Sequence, residues 1–399
     1  MNKTIALAFS GGLDTSFCVP YLRDQGWDVV TVTVDTGGFS ARELGRIEAR
    51  SKTLGAVRHI TVDAREELFD RYLRYLVYGN VLRGHLYPLS VSAERVCQAA
   101  KIAAVARDWG AGAIAHGSTG AGNDQLRFDI AFRVIVPELE IVTPIRDGGF
   151  SRDQEAACLR EHGIEVPEKT AAYSVNRGLW GASVGGRETT TSDKPLPPEA
   201  WPGRAVGDSP SRSLTLVFER GVPTGLDGET LPPVALIRAL ASIASGYGIG
   251  RGIHLGDAIL GIKGRVGFEA PAATLLIAAH RELEKLVLSA GQQQWKETLG
   301  SLYGNLLHEA RFFDPLARDL EAFLESSQTP VTGEVSLSLY PRTWEVNGVR
   351  SPNSLMNPDV ANYGEGNKFW DGTEARAFSK LYGLSQMLTA QARHRVASS

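Results

Sequence analysis

Ser10-Gly11-Gly12-Leu13-Asp14-Thr15-Ser16 is the run in this 399-residue chain whose residue types converge on one chemical task. Adjacent glycines let successive backbone N–H groups turn toward a single anion, and a helix starting just beyond them adds its positive end. Ser10, Thr15 and Ser16 contribute hydroxyl donors, and Asp14 can cap the helix or help hold a magnesium ion that bridges phosphates. No GxxxxGK[ST] run is present, and the GxGxxA at Gly110 to Ala115 comes before a strand pattern, as a helix C-terminal turn would. A second run, His116-Gly117-Ser118-Thr119-Gly120-Ala121-Gly122-Asn123-Asp124-Gln125-Leu126-Arg127-Phe128, again pairs glycines with ligand-binding types. Its Asn123, Asp124 and Arg127 suit the ammonium and carboxylate of an amino acid.

Other candidates are less specific. His116 could donate to a phosphate or simply end a strand with its hydrogen bonds satisfied. Asp35-Thr36-Gly37-Gly38-Phe39-Ser40 would lie near nucleotide, with a plain Gly-Gly turn as the alternative. Arg95 shares a helical face with Ser92 and reads as an anion contact or a solvated side chain. There is no HxxxH or HExxH spacing, which leaves no expected metal ligands.

Loops of this kind need a scaffold. Short apolar runs (TIALAF from Thr4, DVVTVTV from Asp28, VRHITVD from Val57, AIAHG from Ala113, EIVTP from Glu140) alternate with amphipathic stretches, the pattern of a doubly wound parallel sheet of α/β class. Ligands bind such sheets beyond the carboxyl ends of the strands, where both glycine loops fall. Residues 186–212 read as a Pro/Ser/Thr-rich loop or linker. A second, α+β domain follows, with a strand from Ser213, an Asp227-Gly228 turn, helices from about Pro232 and from Ala272 to Ser326, and a hairpin EVSLSLY/TWEVNGVR. A final amphipathic stretch runs from Gly372 to Arg395. The expected domains are 1–165, 166–371 and a C-terminal helix in 372–399.

The totals fit a soluble protein of two or three domains. Forty-two basic and 45 acidic side chains leave a net charge of −3, so neither nucleic acid nor an anionic membrane is an expected partner. Three cysteines without CxxC spacing and only a short apolar run before Ser10 point to a reduced, cytoplasmic location without a targeting signal.

The SGGLDTS run resembles the pyrophosphate-binding loop of the N-type ATP pyrophosphatases, which cleave ATP between the α and β phosphates to adenylate a substrate. The cysteines or basic surface of that superfamily's amidotransferases and tRNA thiolases are not seen here. The run from His116 closely resembles the aspartate- and citrulline-binding loop of argininosuccinate synthases. Tyr87-Pro88-Leu89-Ser90-Val91-Ser92 and Tyr173 to Ser183 (YSVNRGLWGAS) resemble further stretches of that family, and weaker blocks at Gly248 to Arg251, Gly261 to Arg265 and Ser351 to Leu355 extend the likeness along nearly the whole chain.

The resemblance implies an adenine nucleotide α-hydrolase-like fold, ATP and magnesium as cofactors, and ligation of citrulline and aspartate in arginine biosynthesis through a citrullyl-adenylate, in a homotetramer. It implies ATP binding by Ala8, Phe9, Ser10, Gly11, Gly12, Leu13, Asp14, Thr15, Ser16, Val34 and Gly117, with Asp14 and Ser16 as catalytic candidates. Thr119, Asn123 and Asp124 would hold aspartate; Tyr87, Ser92, Asn123, Arg127, Ser174 and Ser183 would hold citrulline. The sequence departs from the family at Gly256, where a citrulline-binding Glu is usual, although a one-residue shift would offer Asp257. It departs also at Phe268 for a Tyr, at Ala121 for a Lys, and after Ser183, where the usual acidic residue is missing. A paralogous ligase with another ureido or amide acceptor, or a non-catalytic nucleotide-binding protein, stays open as an alternative.

Overall fold

The computed structural model describes residues 3–164, 173–203, 210–361, 363–364 and 367–397. The chain forms two compact units, residues 1–353 and 354–399. The expected boundary at 165/166 lies outside the described residues.

The first unit opens with β1 (Thr4–Ala8), α1 (Leu13–Asp24), β2 (Asp28–Asp35), α2 (Ala41–Thr53) and β3 (Arg58–Asp63). Helical segments α3 (Arg65–Leu68) and α4 (Arg74–Tyr78) follow, joined by a π turn (Phe69–Leu73). Then come α5 (Ser92–Asp108), β4 (Ala113–Ala115), α6 (Asp124–Ile135), β5 (Glu140–Val142), α7 (Pro144–Gly148) and α8 (Arg152–Glu161). The five strands form one parallel sheet in the order β3-β2-β1-β4-β5. All five sequence-predicted runs are strands of this sheet.

Strand alternation explains why both faces are covered. Ile5 and Leu7 pack with Phe17, Cys18 and Leu22 of α1 and Leu159 of α8, whereas Ala6 and Ala8 face the core that holds Val96, Ala99 and Ile102 of α5. A large aliphatic or aromatic side chain buried in this way contributes roughly 1.5–3 kcal/mol. The strand order reverses between β2 and β4 on either side of β1, which opens a crevice at their carboxyl ends. The GxGxxA segment is a turn after α5, with Gly110 at φ +58 and its N–H donated to Arg107 O.

The rest of the unit is α+β. Strands β6 (Ser174–Gly178) and β7 (Gly181–Gly185) precede β8 (Arg212–Glu219), β9 (Val222–Leu226), β10 (Glu229–Thr230), α9 (Pro233–Gly246), β11 (Arg251–Asp257) and β12 (Lys263–Glu269). Then come α10 (Pro271–Val287), α11 (Ala290–His308), α12 (Pro315–Ser327), β13 (Gly333–Tyr340) and β14 (Thr343–Arg350). They build two antiparallel sheets, β11-β12-β7-β6 and β10-β9-β8-β13-β14. The described part of 186–212 is anchored and does not behave as a free linker: Leu196 and Ala200 pack on Val184, and Arg265 donates to the carbonyls of Glu188 and Lys194.

In the second unit the expected single helix is two, α13 (Gly372–Tyr382) and α14 (Leu384–Ala397), meeting at Gly383. Asp371 caps α13 by accepting from the N–H groups of Thr373 at 2.7 Å and Glu374 at 2.9 Å. Phe378, Leu381 and Tyr382 are exposed. Among the described residues no helix is long and apolar enough to cross a membrane.

Candidate active site

A cavity of about 780 Å³ lies at the crevice and is lined by residues from both glycine loops and from the α+β part of the first unit. The wall around the first glycine loop includes Ala8, Phe9, Ser10, Gly12, Leu13, Asp14, Thr15, Val34 and Gly117. Gly11 and Ser16, expected in the same set, do not line it. Gly11 takes φ +73 with Ile47 behind it, so it shapes the turn; Ser16 is fully buried and its hydroxyl has no hydrogen-bond partner.

Local geometry explains the loop. Gly12 stands at the N-cap of α1 in an extended conformation, and no side chain caps the helix. The first N–H groups of α1 therefore keep their capacity for an anion. Ser10 is tied down by Thr15, whose hydroxyl accepts from Ser10 N–H at 3.3 Å and lies 3.2 Å from Ser10 Oγ. Gly117 lets the loop after β4 approach: a Cβ there would stand 3.3 Å from both Cys18 Sγ and Thr15 Cγ2.

Asp14, in the first turn of α1, has an unexpected neighbour. Glu155 of α8 is 2% exposed and its carboxyl is pushed up to about 8, first by burial and then by the charge of Asp14, to which it is hydrogen-bonded. Arg152, one turn earlier on α8, reaches the cavity wall. Neither residue carries a sequence signal beyond the Ser151/Gln154 capping box that starts the helix.

At the other end, the cavity is lined by Thr119, Asn123, Asp124, Tyr87, Ser92, Arg127, Ser174 and Ser183, all expected there. Asp124 accepts from Arg127 at 2.8 Å and from Arg95 at 2.9 Å. Burial alone would raise its pKa, but the two guanidinium groups outweigh burial and hold the carboxyl below its ordinary range. Arg95 is therefore neither solvated nor a free anion contact: it positions Asp124 and also donates to Asn176 Oδ1 at 2.6 Å. Asn123 Oδ1 accepts from Ile259 N–H at 2.9 Å, so its amide nitrogen is the end that can turn to a ligand.

His308, at the end of α11, was not marked by the sequence, because its partners lie some 180 to 216 positions away. Arg127 donates to its carbonyl at 2.8 Å, and Ser92 Oγ lies 3.0 Å from its Nδ1. Burial first, then Arg127 and Arg83, push this imidazole down to about 2, so it is neutral.

The geometry bears on two readings that the sequence left open. His116 lines the cavity, but its Nδ1 accepts from Ser118 N–H at 3.2 Å, which leaves Nε2–H to donate to Asp129 at 2.8 Å. It braces the loop as a satisfied strand-end histidine. Gly37 and Gly38 are required by protein packing: Gly37 has φ +92 with Leu179 against it, and a Cβ on Gly38 would collide with Arg177 O. Gly38 and Phe39 nonetheless line the cavity.

The register of β11 and β12 pairs Gly256 with Gly264 and Asp257 with Lys263, and Asp257 forms an exposed ion pair with Lys263 at 2.7 Å. Asp257 does not line the cavity, so it does not stand in for the carboxylate lacking at Gly256. Phe268 is buried against Tyr87, with ring centroids 5.1 Å apart.

Comparison with known proteins agrees along the chain. Residues 4–165 match the arginosuccinate synthase N-terminal HUP domain, and residues 173–389 match the arginosuccinate synthase C-terminal domain. The argininosuccinate synthase of Methanocaldococcus jannaschii is 39% identical over 392 residues, 97% of this chain and 98% of that protein. That of Xanthomonas campestris is 39% identical over 402 residues, covering 98% and 99%. That of Rubrobacter xylanophilus is 39% identical over 389 residues, covering 96% and 94%.

Proposed function

The chain belongs to the argininosuccinate synthase family, and from that premise we propose how its cavity performs the family's reaction. The enzyme is an ATP-dependent ligase of arginine biosynthesis that joins L-citrulline and L-aspartate into argininosuccinate through a citrullyl-adenylate, releasing AMP and pyrophosphate. The ureido oxygen is a weak nucleophile and its carbon a weak electrophile, so AMP is attached to the oxygen first. Pyrophosphate leaves toward Ser10 to Thr15, where uncapped N–H groups at the start of α1 offset the developing charge. The apolar wall of Ala8, Phe9 and Val34 receives the adenine, and Gly117 keeps the two loops close.

Thr119, Asn123 and Asp124 hold aspartate, while Tyr87, Ser92, Arg127, Ser174 and Ser183 orient the acceptor. The continuity of one cavity from Asp14 to Arg127 supports this division best, because both half-reactions need the ureido carbon between phosphate and amine. Among the described residues no three His, Cys, Asp or Glu side chains converge as a metal site. Magnesium would arrive on the phosphates with Asp14 as its protein ligand and would supply charge neutralisation.

Residues 1–165 serve as the nucleotide-binding domain, 166–371 as the synthetase domain and 372–399 as an oligomerisation element of a cytoplasmic homotetramer. The exposed Phe378, Leu381 and Tyr382 on α13 support that last role. Release of AMP and pyrophosphate from ATP, dependent on both amino acids, tests the reaction; the molar mass in solution tests the tetramer.

A further inference from the structure

Asn123 holds the N-cap position of α6, where an asparagine side-chain oxygen ordinarily accepts from the first N–H groups of its own helix. It makes no such bond here. The oxygen is taken instead by the N–H of Ile259, 136 positions away, at 2.9 Å. A favourable local cap has been exchanged for a bond to a distant turn, and the residue that makes the exchange stands on the cavity wall.

Both sides of this bond are held still. Residues 258–261, between β11 and β12, close with Gly261 N–H donating to Ala258 O at 2.9 Å, and Ala258 N–H donates to Ile262 O at 2.7 Å. At the base of the hairpin Arg83 donates to Asp257 O at 3.4 Å and to Asn305 Oδ1 of α11 at 3.1 Å. Across the bond, Gln125 braces the loop before α6 by donating to Gly120 O at 2.5 Å, and Arg146 donates to Gln125 Oε1 at 3.0 Å. A freely turning asparagine can offer a ligand either its donor end or its acceptor end. With Oδ1 on Ile259 N–H, turning Asn123 over would set N–H against N–H. The end kept for the cavity is Nδ2, whose two donors match a carboxylate and oppose an ammonium or the N–H side of an amide.

We propose that the turn at 258–261 is a positioning element of the ligase: the N–H of Ile259 fixes Asn123 so that its amide donates to a carboxylate of aspartate. This rests on the assignment of Asn123 to aspartate given above. Ile259 does not line the cavity and acts through Asn123. The selection of a carboxylate at this point of the wall is thus set by a backbone group of the second, α+β part of the unit.

Ile259→Pro deletes this N–H at the second residue of the turn, a position that proline favours. Steady-state kinetics of the full chain, read as AMP release with Mg-ATP, citrulline and aspartate, are expected to show KM for aspartate raised about tenfold, the scale of one amide freed to present its wrong end. KM for ATP and for citrulline should stay within about twofold, and all three should do so in Leu260→Ala, which alters an exposed neighbour on the same turn. An unmoved KM for aspartate in Ile259→Pro overturns the proposal, and so does an equal rise for both amino acids, the mark of a hairpin displaced as a body. Asn123→Asp provides a second, independent variant. It keeps an oxygen for Ile259 N–H but replaces the donors with a charge that repels a carboxylate, so KM for aspartate should rise about 100-fold or more. A bond of purely structural value would survive that exchange, and a KM near wild type overturns the proposal. These outcomes leave the ligase reading standing, whereas a wild-type chain that releases no AMP in response to aspartate overturns both.

Discussion

At the nucleotide end the donors are backbone groups aimed by loop geometry, whereas at the acceptor end they are side chains held by one another. The first arrangement needs seven neighbouring residues and the start of one helix. The second needs Asp124, Arg95, Arg127, Ser92 and His308, drawn from α5, α6 and α11. Backbone donors tolerate change around them as long as the turn survives. A network of buried charges does not, because each member left without its partner carries the full cost of desolvation.

Asp14→Ala should break the nucleotide end most severely. It is expected to lower AMP and pyrophosphate release by roughly 100-fold or more for any acceptor, the scale of losing a group aimed at developing charge. Near wild-type turnover would refute the assignment of the loop. Arg127→Ala should act only at the other end, costing roughly 10- to 100-fold in kcat/KM for the acceptor through lost contacts and a half-paired Asp124. KM for ATP should stay within about twofold of wild type, and an equal loss on both substrates would erase the distinction between the ends.

Glu155→Gln sharpens the comparison through pH. Burial and Asp14 raise this carboxyl from 4.5 to about 8 in the folded protein. Below the unfolded value both states are protonated and no penalty exists; as pH rises toward 8 the unfolded chain ionises first, so stability falls across that window. The amide has no such loss. Its thermal midpoint should gain on wild type between pH 4 and pH 8 by on the order of 1–3 kcal/mol equivalent, and a gain independent of pH would contradict the shared proton. Ser16→Ala should have the smallest effect, with turnover within about twofold and stability within roughly 1 kcal/mol, because it deletes a buried hydroxyl that has no partner. A large fall in turnover would restore Ser16 to the catalytic machinery.

Much of the molecule was legible in the chain. The five parallel strands follow from apolar runs between amphipathic stretches, and the turn at Asp227-Gly228 and the β13/β14 hairpin follow from local turn chemistry. The site was legible wherever its residues are close in sequence, as in Ser10 to Thr15 and Thr119 to Arg127. It was opaque for Arg152, Glu155 and His308, whose significance comes from contacts across the fold, and for Gly37 and Gly38, whose glycine identity answers to Leu179 and Arg177 O.

Sequence alone therefore determined the glycine loop that opens α1, because a turn of glycines leading into a helix start is a local object that needs no distant partner. It also determined the sheet that carries the loop, because a period-two pattern settles which residues face which layer. Only the tertiary structure decided the charge balance of the acceptor end. Charge on a buried group depends on which distant ions stand beside it and how much water they exclude, and neither quantity is written in the spacing of residues along the chain.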